Sequence, residues 1–136
     1  MEVQHFIAAL DAEQLEPTLP VRHVLRGVGF TFEIPVNVEF PLDVRQFYFF
    51  VRIYRFVGSA RFRLKLYWHP PLMDPQRVGV LTTIPYELSA IESASDLLIL
   101  WENLSLPGPG IYEFRLTAVE NPKRILAREY LEVRFQ

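Results

Sequence analysis

Residues 47–69 read FYFFVRIYRFVGSARFRLKLYWH, and their alternation decides the fold class. Successive side chains of a β-strand point to opposite faces of its sheet. Phe47, Phe49, Val51 and Ile53 therefore share one face, and Phe62, Leu64, Leu66 and Trp68 share another. A two-residue Gly58–Ser59 turn would bring both sets into one core. It pairs Val57 with Ala60, and glycine in first place suits a type II′ turn. Extended backwards, this register opposes Tyr54 to Arg63, Arg52 to Lys65, Phe50 to Tyr67 and Tyr48 to His69. The expectation is a central β-hairpin with an aromatic and basic outward face made of Tyr48, Phe50, Arg52, Tyr54, Arg63, Lys65, Tyr67 and His69. Arg52 and Lys65 would then face each other, and like charges so placed repel. Glu113 or Glu132 on a neighbouring strand, solvent, or an anionic partner has to compensate.

The same period of two runs outward along the chain. Strands are expected at Val3–Leu10, Val21–Arg26, Phe30–Val36, Gln46–Phe56, Arg61–Trp68, Val78–Leu88, Asp96–Asn103, Gly110–Val119 and Ile125–Phe135. Gly27 and Gly29 predict a bulge or bend, and Pro85 predicts an edge strand or a break inside its run. Turn chemistry separates the runs at HPPLMDP (69–75), LPGPG (106–110) and ENPK (120–123). Glu87–Ser95 is the one rival for a short helix. This spacing predicts an all-β, two-sheet, mostly antiparallel β-sandwich of eight or nine strands, forming a single domain over 1–136. The expected core is Phe6 or Ile7, Leu25, Phe47, Phe49, Val51, Ile53, Phe62, Leu64, Leu66, Trp68, Ile99, Trp101, Tyr112, Phe114, Leu116, Leu131 and Val133.

Composition narrows the chemistry. The absence of cysteine removes disulfides, thiolate zinc sites, iron–sulfur clusters and a cysteine nucleophile together. The opening MEVQHFIAALDAEQLEP has no basic start and is interrupted by Asp11, Glu13 and Glu16, so no secretory signal is expected and a cytoplasmic location is the default. Apolar runs fall short of the ~20 residues of a membrane span, so no membrane insertion is expected. Net charge is −2 but uneven: between Pro41 and Pro70, six basic residues stand against Asp43, leaving −7 for the remainder. Such asymmetry bears on partners.

Motifs for catalysis or cofactors are weak. Gly27-Val-Gly29-Phe-Thr-Phe32 has phenylalanine where a dinucleotide loop needs its third glycine. His5, His23 and His69 lack ligand spacing, and no serine sits in a G-x-S-x-G elbow. Glu129 and Glu132 point to opposite sides of their strand. No enzyme activity, cofactor or metal is therefore expected.

The segments Val24-Leu25-Arg26-Gly27-Val28-Gly29, Ile34-Pro35 and Phe40-Pro41 precede a long strand pair. They are followed by Leu104-Ser-Leu106-Pro107-Gly108-Pro109-Gly110-Ile-Tyr112-Glu-Phe114-Arg-Leu116. In this order they resemble a family of small bacterial β-sandwich proteins grouped as a domain of unknown function, with an Ig-like or C2-like pattern and a late LPxPGxYxFxL strand. The resemblance implies a two-sheet sandwich and carries over no catalytic residues. With the aromatic-basic face, the expected function is a non-catalytic binding or assembly module whose partner is another protein or a second copy of the chain. A polyanion such as nucleic acid, or a carbohydrate, is the alternative ligand; the acidic pI of about 5.9 disfavours nucleic acid.

Overall fold

A computed structural model of the chain describes residues 1–14, 23–26, 31–90 and 94–136. Among these residues the chain forms twelve strands and no helix. In order they are β1 (Glu2–Ala9), β2 (Asp11–Gln14), β3 (His23–Arg26), β4 (Thr31–Ile34), β5 (Leu42–Tyr54) and β6 (Phe56–Ala60). There follow β7 (Phe62–His69), β8 (Gln76–Thr82), β9 (Tyr86–Ala90), β10 (Ser95–Leu106), β11 (Gly110–Ala118) and β12 (Ala127–Phe135). A three-stranded sheet runs β1-β5-β10 and a five-stranded sheet runs β4-β12-β11-β7-β8. Every pairing is antiparallel except β4 with β12. These two sheets form the expected sandwich. The ribbons β2-β3 and β6-β9 lie beyond the eight or nine strands anticipated.

The sheets meet face to face through the residues whose alternation predicted a buried side. Phe47, Phe49, Val51 and Ile53 of β5, Phe62, Leu64 and Leu66 of β7, and Tyr112, Phe114 and Leu116 of β11 are all buried. Phe114 sits at the centre, its ring 4.8 Å from that of Phe49, 5.7 Å from Phe47 and 6.2 Å from Trp101. Each such ring contributes roughly 1.5–3 kcal/mol on leaving water. Of the core residues expected, Phe6 rather than Ile7 is buried, and Trp68 packs against the cluster while partly exposed. The Leu25 side chain and the bulge expected at Gly27 and Gly29 lie outside the described residues.

The central hairpin does not form. β5 pairs with β1 and β10, whereas β7 pairs with β11 and β8 in the opposite sheet. Between them β6 carries the chain from one sheet to the other. Gly58 has the positive φ of 124° that only glycine adopts freely, but Val57 and Ala60 pair with Ser89 and Tyr86 of β9, not with each other. The physical reason is electrostatic as well as geometric. A hairpin would set Arg52 against Lys65, while the arch places them on opposite outer surfaces and gives Arg52 an acid, Asp96, as its cross-strand neighbour.

Two further features depart from simple alternation. Asn103 takes a φ of 56° inside β10. Beyond it Leu104 and Leu106 turn into the core beside Val44 and Leu42, so both strands exchange faces there. The break expected at Pro85 is present, and Thr83 closes it: Thr83 donates its backbone N–H to Phe62 O at 2.8 Å, and its hydroxyl accepts from the Phe62 N–H at 2.9 Å. The Glu87–Ser95 segment, the one rival for a short helix, is partly strand, as β9 and the start of β10; residues 91–93 within it are not described.

The LPGPG turn that opens β11 is held by aromatic polar groups. The Tyr112 hydroxyl donates to Gly108 O and accepts from Gly108 N–H, and the Trp68 indole N–H donates to Pro109 O at 3.1 Å. Gly110 has a φ of 135°, and a Cβ there would lie 2.8 Å from His69 O, so no other residue fits the turn unstrained. Replacing Tyr112 with phenylalanine leaves two buried groups of Gly108 without partners. Tyr112→Phe is expected to lose about 1–3 kcal/mol in urea unfolding; a midpoint unchanged from wild type would show the turn to be held by the rings alone.

Candidate functional site

The eight residues expected on one face divide between two. Tyr48, Phe50, Arg52 and Tyr54 lie on the outer side of the three-stranded sheet, and Arg63, Lys65, Tyr67 and His69 on the outer side of the five-stranded sheet. The proposed pairs Tyr48–His69, Phe50–Tyr67, Arg52–Lys65 and Tyr54–Arg63 are therefore replaced by Tyr48–Leu100, Phe50–Leu98, Arg52–Asp96 and, for β7, Arg63–Thr117, Lys65–Arg115, Tyr67–Glu113 and His69–Ile111.

The β5 half is already satisfied. Arg52 grips Asp96 with two parallel hydrogen bonds, Nε to Oδ1 at 2.7 Å and Nη2 to Oδ2 at 3.0 Å. Such a fork-to-carboxylate pair is the strongest form of the interaction. Its guanidinium also lies 5.9 Å from the centre of the Phe50 ring, and Phe50 is only 8% exposed. At the end of the strand, Arg55 covers the Tyr54 ring at 5.5 Å and reaches Glu2.

The β7 half joins a network centred on Glu113, whose side chain is 5% exposed although it lies on the outer side of the sheet. Arg115 Nε and Nη2 both approach Glu113 Oε1 at 2.8 Å. Arg128 Nε stands 3.3 Å from Oε2, and the Tyr130 hydroxyl donates to Oε2 at 3.2 Å. His69 Nε2 lies 3.6 Å from Oε1 and makes no hydrogen bond. On its other side Arg115 stacks over Tyr67, 4.0 Å from the ring centre. Arg115 is thus held from both sides, by a ring and by a carboxylate.

Burial raises the Glu113 pKa, but the hydrogen bonds from Arg115 and Tyr130 and the charges of Arg115 and Arg128 outweigh it, so the carboxyl ionises below its ordinary value of 4.5. Arg115, hydrogen-bonded to Glu113, is correspondingly raised. The face also carries Glu132 on β12 and Glu33 on β4, the latter paired with Arg134, but these strands lie at the side of the sheet away from β7 and β8. Lys65, Arg63 on β7 and Arg77 on β8 form no ion pair with Glu113 or with any other described residue. The face retains a surplus of positive charge around a fixed negative hub.

Glu113 and Glu132 were both candidates for neutralising the hairpin; Glu113 takes that part toward Arg115 and Arg128. Asp96, Arg115, Arg128 and Tyr130 were not anticipated. The Glu-Phe-Arg order at 113–115 carried a signal, since alternation puts Glu113 and Arg115 on the side opposite Phe114. Among the described residues no cluster of three His, Asp or Glu can hold a metal ion, and no helix is long and apolar enough to cross a membrane. A cavity of about 210 Å³ lies among Met1, Phe56, Ala118 and Leu126, and an open groove of about 300 Å³ lies between β8 and β10; neither contains any of the eight residues.

Glu113→Gln removes a buried charge from two arginines and is expected to lose about 3 kcal/mol of stability at neutral pH. Because its folded pKa lies below the unfolded one, that stability is complete above about 4.5 and fades as pH falls through the lower folded value. Melting temperatures of wild type and Glu113→Gln that fail to converge at acid pH would contradict the assignment. Glu129 behaves oppositely. It sits across from the inward-facing Phe114, and burial pushes its pKa above 4.5, only partly offset by the hydrogen bond from the Tyr130 N–H. Glu129→Gln should raise the melting temperature at pH 7, with the gain shrinking as pH falls and Glu129 takes up its proton.

No protein-family model and no curated protein matches this chain, so its function has to be read from its surfaces.

Proposed function

We propose that this chain is a non-catalytic binding module that docks an acidic protein partner on the outer face of its five-stranded sheet. The observation that carries this is the fixed guanidinium of Arg115, clamped between Tyr67 and Glu113, beside Arg63, Lys65 and Arg77, which have no acidic partners among the described residues. Rings and arginines held in place bind with little loss of side-chain freedom, and they are the residues that dominate interface centres. The opposite sheet is a poorer candidate because Arg52 is committed to Asp96.

The geometry also weighs against the alternatives. Base stacking or a sugar platform needs an open ring face, and the Tyr67 face is occupied by Arg115. The chain as a whole is acidic, with a net charge of −2. The resemblance to the small bacterial β-sandwich family implies a two-sheet sandwich and carries over no catalytic group.

The test is fluorescence anisotropy with a labelled peptide of glutamate and valine, compared with an oligothymidylate of equal charge. The peptide is expected to bind, to weaken as salt is added, and to bind at least ~10-fold more weakly to Arg63→Glu/Lys65→Glu. The melting temperature of that variant should stay close to wild type, since neither side chain holds an ion pair. A salt-independent signal, an unaffected variant, or tighter binding of the oligothymidylate would overturn the proposal.

A further inference from the structure

The strand β8 closes one edge of the five-stranded sheet, with β7 on one side and no strand on the other among the described residues. The hydrogen bond from Thr83 N–H to Phe62 O sets the phase of the ladder. In an antiparallel pair the bonded positions recur every second residue. Leu81 and Gly79 therefore bond toward β7, opposite Leu64 and Leu66, and the N–H and C=O groups of Val80 and Thr82 point to the free edge. Thr83 and Pro85 end the strand just beyond them.

Two chemically different surfaces flank this edge. Inward of it runs the groove of about 300 Å³, with Leu81, Thr83 and Ile84 on one wall and Leu98 and Leu100 of β10 on the other. Ile84 is 73% exposed and Val80 46% exposed, a large apolar area for a sheet edge to leave in water. On the outer side of the edge lie Arg77 on β8, and Arg63 and Lys65 on β7 opposite Thr82 and Val80. No acid occupies the outer positions of β7 or β8.

We infer that β8 is a strand-addition site for an extended segment of the partner in which apolar and acidic residues alternate. This rests on the function proposed above and specifies what docks there. A strand paired to Val80 and Thr82 sends alternate side chains to opposite sides. One set enters the groove against Leu81, Ile84 and Leu100; the other meets Arg63, Lys65 and Arg77. Main-chain hydrogen bonds supply affinity, and the two surfaces select the pattern. A second copy of this chain is a poor occupant, because β8 paired with β8 would bring two sets of the same cations together on one face.

The experiment compares two labelled peptides of identical glutamate and valine content, one strictly alternating and one with the residues in separate blocks. The alternating peptide should bind at least ~10-fold more tightly. Val80→Pro removes an outward N–H that no described strand uses, a position where an edge strand tolerates proline. It should abolish this preference while leaving the melting temperature near that of wild type. Ile84→Asp, at an exposed site, should do the same through the groove.

Loss of binding in Arg63→Glu/Lys65→Glu with undiminished binding in both Val80→Pro and Ile84→Asp would leave the basic face standing and overturn strand addition. Equal affinity for the two peptides would also overturn it. A dimer of the free protein in light scattering that Val80→Pro dissolves would identify a second copy as the occupant and overturn the acidic-segment inference.

Discussion

The packing of Phe114 between the sheets is the constraint on which the rest of the molecule depends. Its ring touches Phe47 and Phe49 from β5 and Trp101 from β10, so a single residue of β11 ties together two of the three strands of the facing sheet. Trp101 in turn requires Gly79, because a Cβ at that position would come within 2.9 Å of its ring. β8 therefore lies close to the core only because it has no side chain there. This contact, with Val78 and Leu81, joins the edge strand to the centre of the sandwich.

Much of this was legible. Alternation in 47–69 named the buried side of both strands correctly, and the PGxYxF pattern named the turn before β11 and the inward Tyr112 and Phe114. What alternation could not decide was whether β5 and β7 lie side by side or face to face. Either arrangement buries Phe49 and Leu66, so side-chain parity is blind to the difference. Charge carried a signal that the hairpin reading assigned to a compensating acid, solvent or partner: the repulsion between Arg52 and Lys65 is equally relieved when the two strands lie in different sheets. The partner that settles Arg52, Asp96, is 44 positions away and lies in no motif. The exchange of faces at Asn103 was equally hidden, because an asparagine with positive φ looks like any other asparagine in the sequence.

The two outer surfaces show how the same composition gives opposite results. On β5 Arg52 meets an acid of matching geometry and is neutralised. On β7 the central acid is consumed by arginines of β11 and β12, so the cations of β7 and β8 are left over. Glu113 is buried by the side chains it organises, and its role is to fix Arg115 in position. The candidate surface was therefore partly visible in the sequence: its β7 residues and Glu113 were named, while the arginines around Glu113 and the free edge depend on which strands become neighbours.

The parallel pairing of β4 with β12 has a consequence for how the chain reaches this state. Its outermost ion pair, Arg134 with Glu33, spans 101 positions, and β1 and β5 are likewise joined to strands far along the chain. A topology so rich in distant partners places the molecule among slow folders, in the millisecond-to-second range typical of sandwiches. Until β12 arrives, β4 and β11 each keep an unpaired flank. A nascent or partly denatured chain thus exposes adhesive strand margins that the finished fold confines to its periphery.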